Sequence, residues 1–259
     1  MENHAVRASD RISEGKIVPL VQPFRFPWDG HFPDALIHAK ESAVKKHVAY
    51  PAAKAGDVNA AFKLVSTTLN DATVESLVDM AEFEAPILVS VHAEEAVGVN
   101  AIPEVMADFL AIILGWEVEQ FVVQANVVNH TGAGGFARMA RQAIFAGEIT
   151  PGRRYVIVDD FIGQGGTIAN LRGHIMQQGG IVIGATVLTG KDYSAILKQD
   201  KSKLIDLRIR HGQIENWWQQ RFGFGFDCLT ASESRYLCNT ATSEKIRTGI
   251  EEADAGSAH

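Results

Sequence analysis

Two cysteines, Cys228 and Cys238, are all that 259 residues contain. They are too few for a disulfide scaffold, and their spacing fits neither a zinc site nor a redox pair. Long apolar runs are also missing: the longest, residues 105–116, carries Asp108 and is too short to cross a bilayer. Residues 1–16 are polar and mixed in charge, without the apolar centre of a signal peptide. A basic excess is absent too, because 24 Lys and Arg against 31 Asp and Glu leave a net charge of -7. Nucleic acid and anionic lipid are therefore not drawn by general attraction. No internal repeat is evident, and the one biased stretch is a small polar tail over 252–259. These absences lead us to expect a reducing, cytoplasmic setting with no membrane, and 46% hydrophobic content suffices for a real core.

The chain does contain one long, ordered pattern. Residues 155–158 are Tyr-Val-Ile-Val, followed by Asp159, Asp160, Phe161, Ile162 and then Gly163, Gln164, Gly165, Gly166 and Thr167. An uncharged run rich in β-branched and aromatic residues fits a strand buried on both faces. Residues 168–178 follow as a predicted helix, stopped by Gly179 and Gly180. Between them, Gly163, Gly165 and Gly166 permit backbone geometries closed to side chains, so several N–H groups can converge on one anion at a helix N-terminus. Thr167 can cap the helix or add a hydroxyl to the anion. Two carboxylates just before the turn would repel a bare polyphosphate, but they suit sugar hydroxyls or a divalent metal beside a phosphate monoester. No Lys follows Gly166 as a P-loop requires, and Ile168 stands where a dinucleotide fold needs its third glycine.

At these residues the chain resembles the type I phosphoribosyltransferases, whose signature is four apolar residues, two acids, two apolar residues, a small residue, usually Thr, and then Gly-Gly-Thr. The resemblance implies a parallel-sheet α/β core with helical flanking segments forming a hood. It further implies that Asp159 and Asp160 hold the ribose hydroxyls of 5-phosphoribosyl 1-pyrophosphate, and that Gly163, Gln164, Gly165, Gly166 and Thr167 hold its 5′-phosphate. Mg²⁺ is implied as cofactor, meeting Asp159 and Asp160 indirectly through the donor that carries it. Gln164 departs from the pattern, removing one hydroxyl ligand while leaving the backbone donors. Together with residues 129–138, 184–191 and 221–225, the motif also resembles an uncharacterised bacterial set of phosphoribosyltransferase-like proteins.

Strand and helix patterns alternate over residues 84–189: strands at 86–92, 118–128, 155–158 and 181–188, helices at 102–114 and 168–178, and a glycine-bearing loop leading to a short helix that ends at 145. We expect right-handed crossovers and a ligand beyond the carboxyl ends of the strands. The chain divides into a mostly helical region at 1–83, a core at 84–200 and a region at 201–259 that completes the core and acceptor site. Within the first region, helices are predicted at 32–46, at 57–69 with Asp57 as N-cap, and at 73–83, where Thr73 and Ser76 could cap.

Other residues take roles from their places in the resemblance. His92 and Ala93 begin the loop that wraps pyrophosphate in the family, whereas Glu94 and Glu95 suit direct contact poorly. His130, Arg138 and Arg141 fall in the mobile catalytic loop. The two arginines, three apart, would share a helix face and steady the leaving pyrophosphate, while His130 supplies a proton or hydrogen bond. Trp217, Trp218, Phe222, Phe224 and Phe226 could stack a base, although core packing explains them more simply.

The expected function is Mg²⁺-dependent transfer of phosphoribosyl from its pyrophosphate donor to a nitrogen acceptor, plausibly a nucleobase. The alternative is a non-catalytic sensor that binds phosphoribosyl pyrophosphate or a nucleotide and signals to a partner. The pattern admits a homodimer.

Overall fold

A computed structural model of the chain describes residues 10–13, 16–19, 22–92, 94–95, 98–126 and 134–255. Five parallel strands form the central sheet: β1 (Leu36–Lys40), β2 (Ile87–Ser90), β3 (Glu117–Glu119), β4 (Arg154–Ile162) and β5 (Ile181–Gly190), in the order β1-β5-β4-β2-β3. The uncharged run predicted as a buried strand, 155–158, lies in the central strand β4, with β2 beside it. Their side chains alternate between faces, with Ile87, Val89, Tyr155 and Ile157 packing one way and Leu88, Val156 and Val158 the other.

One face is covered by α1 (Glu41–Lys45), α2 (Tyr50–Lys54), α3 (Val58–Thr68), α4 (Asp71–Ala81) and α5 (Ile102–Leu114), through Val44, Ala53, Leu64, Leu77 and Met106. After α6 (Gly135–Ala140), the opposite face receives α7 (Gly166–Gln177), through Ile168, Leu171 and Ile175. Chain direction explains this division. The β2-to-β3 and β4-to-β5 connections run oppositely across the sheet, so right-handed crossovers place α5 and α7 on opposite faces. A third core lies among α6, α8 (Lys201–His211), α9 (Glu215–Phe222), α10 (Ala231–Cys238) and α11 (Ser243–Ala255).

Several boundaries differ from the sequence expectations. Residues 36–40 are an edge strand of the sheet, whereas a helix was expected over 32–46; helix α1 begins only at Glu41. Pro33 disfavours helix in the residue before it. Farther on, Thr186 Oγ1 and Thr189 Oγ1 donate to the carbonyls of Leu36 and Ala39, adding to the ladder with β5. The N-terminal third thus contributes a strand and helices to the same sheet as the motif.

The strand expected at 118–128 is split. Glu119 Oε1 accepts from Phe121 N–H and turns the chain out of the sheet, after which Val123–Gln124 pairs antiparallel with Phe145–Ala146. Asp57 caps α3 as expected, but Asn70 rather than Thr73 or Ser76 caps α4, accepting from Thr73 N–H.

Candidate functional site

The strand order reverses beside β4: the chain runs outward from β2 to β3, then returns to the other side of β2. Ligand crevices in open parallel sheets form beyond the carboxyl ends at such a reversal. A cleft of about 200 Å³ lies there, lined by Asp159, Asp160, the glycine turn, Lys54, Arg138 and Gln142.

The two acids are adjacent in sequence but differ in setting. Asp159 is 6% exposed, and burial, reinforced by the negative charge of Asp160, pushes its pKa well above the carboxylate range. The backbone N–H of Asp160 and the Lys54 ammonium pull the other way without prevailing. Asp160 meets Lys54, whose Nζ lies 3.1 Å from Oδ2. Lys54 ends α2, a helix that carries no recognisable motif, so its place beside Asp160 is purely tertiary.

The turn has the shape an anion needs. Gly165 lies in the left-handed region, with φ 79°, and begins α7 with no side chain capping it. Thr167 is the second residue inside the helix, since α7 starts at Gly166, two residues before the predicted position. It is therefore not the cap that the sequence allowed. Among the described residues, no acceptor is found for the backbone N–H groups of Gly163, Gln164 and Gly165. A side chain would also crowd its neighbours here: a Cβ on Gly165 would lie 2.7 Å from Leu197 Cδ2, and one on Gly166 would lie 2.7 Å from Glu233 Oε1. Gln164, the departure from the family pattern, buries its side-chain Oε1 without a protein partner.

Arg138 reaches the turn from α6; a Cβ on Gly163 would sit 2.6 Å from its Nη1. Burial pushes its guanidinium pKa down, and an anion in the cleft would favour its charged form. Arg141 also lines the cleft, but it follows the last helical residue, and its Nη2 donates to the Ala253 carbonyl at 3.3 Å. The helix face expected to align both arginines ends before Arg141.

His92 is half-buried just beyond β2, its Nδ1 3.4 Å from Glu104 Oε2. Backbone pairing joins Glu94–Glu95 to Gly98–Val99. Ala93 and His130 lie outside the described residues. Trp218, Phe222, Phe224 and Phe226 are buried in the third core and do not line the cleft, so these four pack the C-terminal helices rather than stack on a base.

A buried polar network behind the turn has no signal in the sequence. Arg25, 7% exposed, donates through Nε to Asn170 Oδ1 at 2.6 Å, through Nη1 to Glu233 Oε2 at 2.6 Å, and through Nη2 to Glu233 Oε1, Gln142 Oε1 and the Gly166 carbonyl. These partners lie 117 to 208 positions away along the chain, so no local pattern could reveal them.

No family model matches the chain. Protein TraN of Escherichia coli is 39% identical over 227 residues, which are 87% of this chain and 50% of that protein. An uncharacterized protein of Haemophilus influenzae is 36% identical over 157 residues, covering 61% and 35% respectively. The chain spans about half, or less, of the length of the curated relatives it matches. Among solved structures, adenine phosphoribosyltransferase from Thermoanaerobacter pseudethanolicus overlaps 52% of this chain and 70% of its own at 19% identity and a TM-score of 0.32. The Leishmania tarentolae enzyme overlaps 63% and 94% at 14% identity and a TM-score of 0.34. Superpositions this loose carry no argument about chemistry, and the five-stranded parallel sheet stands on its own hydrogen-bond register. Among the described residues, no helix is long and apolar enough to cross a membrane.

Proposed function

We propose that the cleft binds 5-phosphoribosyl 1-pyrophosphate and that the protein transfers its phosphoribosyl group to a nitrogen acceptor such as a nucleobase, with release of pyrophosphate. The observation that carries this reading is the junction of two acids with an uncapped, left-handed glycine turn at the carboxyl end of β4. The turn's N–H groups and the helix N-terminus hold the 5′-phosphate. Asp159 and Asp160 accept hydrogen bonds from the ribose hydroxyls. Arg138, in the cleft beside Gly163, stabilises charge that builds on the pyrophosphate oxygens as their bond to the anomeric carbon breaks. The bond from the anomeric carbon to pyrophosphate breaks as the acceptor nitrogen attacks from the opposite face, inverting that carbon. The acceptor's proton leaves to solvent or to the departing pyrophosphate.

Among the described residues no group of three metal-ligating side chains is present. The donor set therefore suits Mg²⁺ arriving on the pyrophosphate donor better than a resident ion. When bound, Mg²⁺ would neutralise pyrophosphate charge; Asp159 and Asp160 would meet it only through the sugar.

One feature favours a binding-only sensor instead: Glu94 and Glu95 stand in the loop expected to wrap pyrophosphate, where acidic side chains suit the leaving group poorly. Calorimetric titration with the donor and Mg²⁺, followed by pyrophosphate-release assays over a panel of bases, separates the readings. Turnover supports the transferase, saturable binding without turnover on any base supports the sensor, and absence of binding removes both.

A further inference from the structure

The hydroxyl of Thr230 works in two directions. Its oxygen accepts from the Glu233 N–H at 3.1 Å as the N-cap of α10, and its proton goes to the Gln164 carbonyl at 2.5 Å. That proton has no alternative destination in this contact, because a carbonyl oxygen cannot donate. The described chain contains no cis peptide, so the Gln164 carbonyl and the Gly165 N–H point in opposite directions from one planar unit. With the carbonyl drawn to Thr230, the Gly165 N–H is turned away from α10, and Gln164 and Gly165 both line the cleft. The Thr230 methyl and Leu197 close the other side: a Cβ on Gly165 would lie 3.4 Å from Thr230 Cγ2 and 2.7 Å from Leu197 Cδ2.

Thr230 is itself held firmly. It is fully buried, and its N–H donates to Glu233 Oε2 at 2.9 Å, completing a capping box whose carboxylate is fixed by Arg25. The Arg25 guanidinium also reaches the Gly166 carbonyl at 3.3 Å. Two successive segments of the turn are thereby gripped from behind by α10 and by the N-terminal segment.

We propose that Thr230 is a positioning residue for anion binding: its hydroxyl locks the Gln164–Gly165 peptide so that the Gly165 N–H is presented to a phosphate in the cleft. This rests on the anion role of the turn proposed above. The C-terminal helices thus belong to the phosphate site although they do not touch the ligand. A peptide free to rotate would offer the anion its carbonyl oxygen for part of the time, and the preorganisation that favours tight binding would be lost.

The test uses the full chain with inorganic phosphate, and then with 5-phosphoribosyl 1-pyrophosphate. It compares wild type, Thr230→Ser, which keeps the hydroxyl, and Thr230→Val, which keeps the shape and loses it. Amide NMR and calorimetry should show that phosphate shifts the Gly165 N–H in wild type and in the serine variant at similar affinity. In the valine variant binding should weaken about tenfold, the size expected for one hydrogen bond to a charged group. Equal affinity in wild type and T230V, at equal thermal stability, overturns the positioning role while leaving the anion site standing. A wild type that binds neither probe overturns both. Should T230V fail to fold, hydrogen exchange on wild type decides: a Gly165 amide that exchanges fast alone and slowly with phosphate supports the proposal. One already protected without ligand refutes it.

Discussion

Replacing Arg25 with methionine removes the cation from a setting where it cannot be screened. In the Arg25–Glu233 pair the side chains are 1% and 2% exposed, so the lost partner leaves a carboxylate enclosed in the protein without a counter-charge. Removing one member of a buried, hydrogen-bonded pair costs about 3–5 kcal/mol, mostly the penalty of the orphaned charge. The Asn170 acceptor is stranded as well, whereas Gln142 Oε1 retains a donor in Asn170 Nδ2. For a chain of this size each kcal/mol moves the melting midpoint by about 2–4 °C, so Arg25→Met should lower it by roughly 6–20 °C.

The double variant Arg25→Met/Glu233→Gln discriminates the cause. With the charge gone and the amide oxygen still able to accept from Thr230 N–H, a large part of the loss should return. Scanning calorimetry on the four proteins of the cycle measures the coupling. A single-variant loss below about 1 kcal/mol, the range of exposed pairs, would refute the premise that this pair is desolvated. A double variant no better than the single one would refute the orphan-charge explanation.

His38 is buried against Thr186, and burial lowers its pKa to about 4. The unfolded chain then binds more protons between about pH 6.5 and 4, so stability present above pH 6.5 should fall by about 3 kcal/mol as pH drops through that window. His38→Gln should flatten the slope in a series of melts against pH. Asp159 has the opposite sign: its pKa is raised in the folded chain, so charging it opposes folding as pH rises above the ordinary carboxylate range. Asp159→Asn should therefore gain stability on wild type toward neutral pH while donor binding, followed by calorimetry, is lost; a parallel pH profile in the two proteins would contradict the assigned burial. Gly165→Ala places a side chain at φ 79° and against Leu197, and should cost about 1–3 kcal/mol in denaturant melts and abolish phosphate binding. Arg138→Ala should weaken the pyrophosphate donor more than ribose 5-phosphate, and equal losses would place the guanidinium at the 5′-phosphate alone.

Much of the core was determined by the sequence itself. The hydrophobic run ending in Asp159 and Asp160 could be little other than a buried strand. The glycines after it set the turn, and the periodicity at 102–114 matches α5 residue for residue. These are local properties: side-chain alternation, backbone permissiveness and helical repeat act within a dozen residues and are written in order along the chain.

Tertiary structure alone decided what surrounds them. Residues 36–40 became a strand because β5 offered an edge, overriding a helical reading of the same residues. Lys54 met Asp160 across 106 positions, and Arg25 met Glu233 across 208. The aromatic cluster was legible as apolar, but only packing placed Trp218, Phe222, Phe224 and Phe226 within the third core rather than in the cleft. A side chain's charge or hydroxyl is visible in the sequence, whereas the solvent it loses and the partner it gains depend on where distant segments cross. For that reason the glycine turn could be read directly, and the buried threonine and arginine that hold it from behind could not.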